Sequence, residues 1–149
     1  MPTTFHSATH HDSKTFSQKT CIAVGAVLLL LGAFGFEMSN LFGMHMSFTH
    51  SAILLVSGII AMSVGLMKRV DIAFRSSLVL SVFYGVLGVA GLVLGTPGTA
   101  SIRPYDHDAF LLQIVPGIFE LTSSDHGFHL IVTAILFISA LTPSHSSDL

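Results

Sequence analysis

Hydrophobic positions along the chain gather into four long runs, over residues 20–36, 49–67, 72–95 (or 76–95) and 126–141. Polar or helix-breaking residues close each run: Glu37 the first, Lys68 and Arg69 the second, Thr96, Pro97 and Gly98 the third, Thr142 and Pro143 the fourth. A helix rises 1.5 Å per residue, so about 20 apolar residues cross the hydrocarbon core of a bilayer. The first and last runs are short and reach that length by a turn added at each end. A helix on the surface of a soluble domain would show a polar stripe, and these runs show none. In the first, Gly25, Gly32 and Gly35 sit among Leu, Val and Phe. In the second, the interior polar residues are Ser57 and Ser63, which can bond the preceding turn of their own helix. The pattern predicts an all-α fold: a bundle of four transmembrane helices arranged as two hairpins. The domain covers residues 20–142, between polar tails at 1–19 and 143–149.

The longest connection holds Pro97, Gly98, Pro104, Asp106, His107 and Asp108, then an apolar stretch over residues 109–121. That stretch is too short to span and is interrupted by Pro116 and Gly117. It predicts a short interfacial helix between the third and fourth spans, with Gln113 and Glu120 turned to water.

Composition agrees with the pattern. Only 9% of the 149 residues are charged, where soluble domains average about 25%. Lipid needs no wetting by charge, so one small membrane domain fits and a soluble one does not. The first run could pass for a signal-peptide core, but Phe34, Gly35, Phe36 and Glu37 make a poor cleavage site. It is read as a retained helix. No basic stripe points to nucleic acid. Cys21 is the single cysteine, which excludes an intrachain disulfide, and it reads as a small apolar residue.

Charge sets the expected orientation. Lys14 and Lys19 precede the first span, and Lys68, Arg69 and Arg75 lie between the second and third. Only Arg103 falls in the other connections. The positive-inside rule then places both termini in the cytoplasm, in a bacterial inner (plasma) membrane.

The third span carries Gly85, Gly88, Gly91 and Gly95 at spacings of three and four, on one side of a helix. Small residues let helix backbones approach closely in lipid. This face predicts a packing groove, with Gly25, Gly32 and Ala33 of the first span as a matching surface. A weak internal repeat accompanies it. Each half reads as a glycine-rich helix, an outer connection and a helix that opens on histidine, at Phe48-Thr49-His50 and again at Phe128-His129.

Several of these residues carry a family likeness. They are Asn40-Leu41-Phe42 with His50 and Gly58, the run from Tyr84 through Gly85, Gly88 and Gly91, and Asp125 with His129. On them the chain resembles a bacterial family of small four-helix integral membrane proteins of unknown function, over residues 23–141. The resemblance implies the four-helix architecture and assigns no activity.

Candidate chemistry lies on the outer side. The second and fourth helices both start there, so both present free N–H groups and positive dipole ends. A positive helix end and apolar surroundings favour neutral imidazole, the form that binds metal. His50, His126 and His129, with Glu37 or Asp125, form a candidate divalent metal set, zinc first, with haem on His50 and His129 as a second cofactor candidate. Asp125 can cap the fourth helix one turn before His129. The plainer reading is that these residues cap helices and meet headgroups. No G-x-S-x-G elbow, HExxH pair or phosphate loop is present, so no enzyme class is indicated. No charge lies mid-span, which argues against an ion path. Two function classes follow: a membrane scaffold or accessory subunit acting through helix packing, with the lipid bilayer and a membrane-protein partner or a second copy as its company, and a metal- or haem-binding protein using the outer histidines.

Overall fold

The computed structural model describes residues 14–101 and 107–142. In chain order the elements are α1 (Phe16–Gly35), β1 (Asn40–Leu41), β2 (Met44–His45), α2 (Phe48–Leu66), α3 (Val70–Leu94), β3 (Thr96–Gly98), β4 (Asp108–Val115), β5 (Phe119–Leu121) and α4 (Ser123–Leu141). Among the described residues, four helices are long and apolar enough to cross a membrane. The outward faces of these helices are apolar: Leu30, Val79, Val93 and Ile131 are each about 60–70% exposed. A soluble surface would not carry so large an apolar area, whereas lipid-facing helices do.

The helices start earlier than the hydrophobic runs because capping residues set their ends. Thr15 and Gln18 form a capping box at the start of α1, in which the Gln18 side chain accepts the Thr15 backbone N–H at 2.9 Å. Helix α3 starts at Val70, which places Arg75 inside its second turn.

The expected interfacial helix is absent. Residues 109–121 form strands β4 and β5 of an antiparallel sheet ordered β3-β4-β5. The reason is local. The Ile118 N–H donates to the Val115 carbonyl at 3.0 Å, and Gly117 has φ +79°. Pro116 and Gly117 thus occupy the two central positions of a tight reversal, the arrangement of a type II turn. What reads as an interrupted helix is a hairpin hinge. Gln113 pairs across it with Glu120, and Glu120 is fully buried rather than turned to water. A smaller hairpin, β1-β2, joins α1 to α2. Its turn residues Phe42 and Gly43 both have positive φ, as a two-residue type I′ turn requires.

The glycines pack, but not with the partner expected. A methyl on Gly25 would come within 2.6 Å of the Met62 backbone nitrogen, and one on Gly32 equally close to that of Leu55. The α1 glycine face therefore meets α2. The α3 face meets α4: Gly85 lies against Thr133, Gly88 against Leu130, and Gly91 against His126. Gly95 lies under Phe110 of β4. The α3 glycines are thus matched by α4 and the sheet, and not by Gly25, Gly32 and Ala33 of α1. Both close pairs are hairpins of consecutive helices, and each is a helix, a β-hairpin region and a helix. This is the structural form of the weak repeat.

The two hairpins join through a core to which all four helices contribute, including Leu28, Leu54, Tyr84, Val132 and Leu136. At the end without sheets, the Ser17 hydroxyl donates to the Ser139 carbonyl at 2.7 Å, tying α1 to α4. The Gln18 amide donates to the Met67 carbonyl at 2.6 Å, closing the α1–α2 pair.

Candidate functional site

The starts of α2 and α4 lie side by side beneath the two hairpin regions. Each is built by an N-cap residue and the residue three positions later. Ser47 caps α2, its hydroxyl oxygen accepting the His50 N–H at 3.1 Å. At α4, Asp125 reaches back to the N-cap Thr122, accepting its N–H at 2.6 Å and its hydroxyl at 2.9 Å. These local capping geometries aim His50 and Asp125 into the bundle.

There they meet. The second Asp125 oxygen, Oδ1, lies 3.7 Å from His50 Nδ1, and both side chains are buried. His45 links the two helix starts through its backbone. Its N–H donates to Asp125 Oδ2 at 3.3 Å, and its carbonyl lies 3.0 Å from His50 Nδ1. A carbonyl can only accept, so His50 Nδ1 carries the hydrogen. Its Nε2 is then a bare acceptor, buried and without a hydrogen-bond partner. The His129 ring lies 5.5 Å from the His50 ring and 5.3 Å from that of Tyr84. His129 Nδ1 is likewise buried and unpartnered. The Tyr84 hydroxyl faces Ser57 without completing a hydrogen bond.

His126 is turned elsewhere. Its Nε2 lies 2.7 Å from the Phe110 carbonyl of β4, so it donates there, and its Nδ1 packs against Gly91. His126 pins the sheet to α4. Asp108 does the same from the strand side, accepting the Ser123 N–H at 3.1 Å and its hydroxyl at 2.7 Å. Glu37 is exposed just beyond α1 and does not join the buried group.

Glu120 supports the sheet. Burial pushes its carboxyl upward, but it accepts the Gly117 N–H at 3.0 Å, the Ser101 N–H at 2.7 Å and the Gln113 amide at 2.9 Å. These bonds win, and its carboxyl titrates below the usual range.

Of the predicted ligand set, the structure brings together His50, His129 and Asp125, and leaves out His126 and Glu37. Among the described residues, no three His, Cys, Asp or Glu side chains stand in an arrangement that could hold a metal ion. The His50, His129 and Tyr84 rings touch directly and leave no slot for a porphyrin between the two imidazoles. As it stands, the site is a sealed polar core with a hydrogen-bonded carboxylate and two imidazoles that have nitrogens to spare. Sequence reasoning missed the bridging backbone of His45, the ring of Tyr84 and the cap at Thr122. The spacing Thr122-x-x-Asp125 was a usable signal for the last.

No protein-family model, curated protein or solved structure matches this chain.

Proposed function

We propose that the chain is a small multi-pass protein of the bacterial inner membrane, with both termini in the cytoplasm, working as a scaffold that assembles through α3. The observation that carries this reading is a stripe of five valines. Val79, Val82, Val86, Val89 and Val93 follow one another at alternating spacings of three and four, and are 66, 58, 61, 53 and 72% exposed. That is the seam spacing of left-handed helix packing. An apolar groove of about 580 Å³ runs beside the stripe, lined by Val82, Gly85, Val86, Ala90, Thr133 and Phe137. Gly88 and Gly91 are spent inside the fold, so the valine stripe and the groove beside it make the outward packing surface.

The occupant is a second copy. Copies inserted the same way present the same stripe in parallel, and a two-fold axis along the membrane normal pairs it with itself. The orientation draws on the basic residues. Lys14 donates to the Gly65 carbonyl at 3.2 Å, so the basic start of α1 and the Lys68–Arg69 turn share one end. The bacterial setting draws on the family resemblance.

Cysteine cross-linking in native membranes, in a Cys21→Ala background, tests it. Val82→Cys, Val86→Cys and Val89→Cys variants should form dimers, while Val56→Cys on the exposed face of α2 should not. Cross-linking without that periodicity, or only to other proteins, would contradict assembly by a second copy.

A second reading rests on the spare nitrogens of His50 and His129 beside Asp125 Oδ1. A metal ion would need these rings to turn toward one another. Elemental analysis of the protein purified in mild detergent tests it, with stoichiometric zinc lost in a His50→Gln variant as the supporting result and a blank as the opposing one.

A further inference from the structure

At the end opposite the sheets, a cleft of about 410 Å³ opens between the start of α1, the start of α3 and the end of α4. Its lining includes Thr15, Phe16, Phe74, Arg75 and Thr142. Arg75 is the basic residue of this lining. It sits five residues into α3, roughly 7–8 Å along the helix from its start. Asp71, one turn before it, also lines the cleft and is the natural partner by spacing. However, Asp71 is held by Arg69, whose Nη2 lies 3.1 Å from its carboxylate. Among the described residues Arg75 has no ion-pair or side-chain hydrogen-bond partner. Its side chain is exposed near the helix end, where a long basic side chain reaches the headgroup region.

What could meet it follows from the walls. Asp71 is paired with Arg69, so among the described lining residues Arg75 is the charge without an ionic partner. A guanidinium presents a planar fork suited to two phosphate oxygens. Phe16 and Phe74, 51 and 44% exposed, offer apolar surface beside it. Thr15 and Thr142 bring no spare hydroxyl hydrogens, because Thr15 donates to Gln18 and Thr142 to the Ile138 carbonyl. The cleft therefore combines one phosphate-binding cation with hydrocarbon contacts at the depth of the headgroup boundary.

We infer that this cleft binds the headgroup of one anionic phospholipid, its phosphate on Arg75 and the upper part of an acyl chain along Phe74 and Phe16. The inference rests on the reading that the helices span a bilayer, and on nothing in the assembly proposed above. Lipid held here would fill the gap between the two helical hairpins where α1, α3 and α4 come together.

The test uses the full chain in mild detergent, with lipid retention read by native mass spectrometry. Phosphatidylglycerol and phosphatidylcholine compete at equal amounts. The wild-type chain should keep one phosphatidylglycerol in preference by roughly fivefold, the ratio given by about 1 kcal/mol per basic residue near an anionic surface. Arg75→Gln should bring the ratio to parity, and Arg75→Lys, which keeps charge without the fork, should fall between. Equal retention of the two lipids by the wild-type chain would overturn the site. So would a preference that survives in Arg75→Gln. Displacement of the lipid by millimolar inorganic phosphate would show a free-phosphate site and overturn the lipid assignment. Alkaline carbonate extraction of the membranes separates a failure of the spanning reading, which releases the chain, from a failure of the cleft, which does not.

Discussion

Gly91 of α3 is the socket for the His126 ring of α4: a methyl group at Gly91 would fall on the imidazole itself. The same ring donates to the Phe110 carbonyl, so one glycine seats the histidine that fastens the sheet. Gly91→Ala should therefore destabilise the protein by about 1–3 kcal/mol through overpacking. It should also free the β4 backbone to exchange. Gly127 is a fitting control, since a methyl there would meet nothing within 4 Å. Gly127→Ala should be neutral or stabilising by up to about 1 kcal/mol. Thermal unfolding in detergent, with hydrogen exchange at β4, separates the two.

Asp125 joins α4 to the β1-β2 hairpin by accepting from Thr122 and from His45. Asp125→Ala leaves those buried donors unmet, at a cost on the order of 2 kcal/mol. Asp125→Asn keeps an acceptor oxygen and should cost less. Hydrogen exchange at His45 should quicken in the alanine variant well before exchange in the helix centres does. An unchanged rate at His45 would show that the carboxylate does not hold the hairpin.

Glu120 gives the sheet a dependence on acid. Its carboxyl titrates lower folded than the about 4.3 of a free glutamate. Its contribution is thus fully present above that unfolded value and is lost as pH falls through the folded one. Protection of the β3, β4 and β5 amides, taken relative to their intrinsic exchange rates, should fall at acid pH in the wild-type chain, and Glu120→Gln should flatten that fall. An equal acid response in both would place its origin elsewhere.

Gly117 holds φ +79° in the turn after Pro116. Gly117→Ala should cost about 1 kcal/mol through backbone strain alone, because open space surrounds the position. Loosening confined to β4 and β5 is the expected sign.

The helices were legible because each apolar run is its own signal, and only the capping residues Thr15, Ser47 and Thr122 had to be added. The sheet was not. Residues 109–115 are apolar enough for strand or helix, and the choice rested on reading Pro116-Gly117 as a reversal and not as a break. The glycine faces were legible as faces, but a face does not say which neighbour it meets. Gly88 and Gly91 found α4 because consecutive helices pair first. The candidate site was half legible. Capping geometry aims His50 and Asp125 inward, and the helix period brings His129 with them. His126 and Glu37 were misplaced because their surroundings are set by tertiary partners: the Phe110 carbonyl for one, open solvent for the other.

In the proposed topology the four helices cross a membrane with the sheets on the outer side and the basic end in the cytoplasm. Labelling of intact bacterial cells with a membrane-impermeant maleimide tests it most directly, using Thr99→Cys and Thr142→Cys variants at exposed positions. The Thr99→Cys chain should be labelled in intact cells, and the Thr142→Cys chain only after the membrane is opened. The reverse order, or equal labelling of both without opening the membrane, would contradict it.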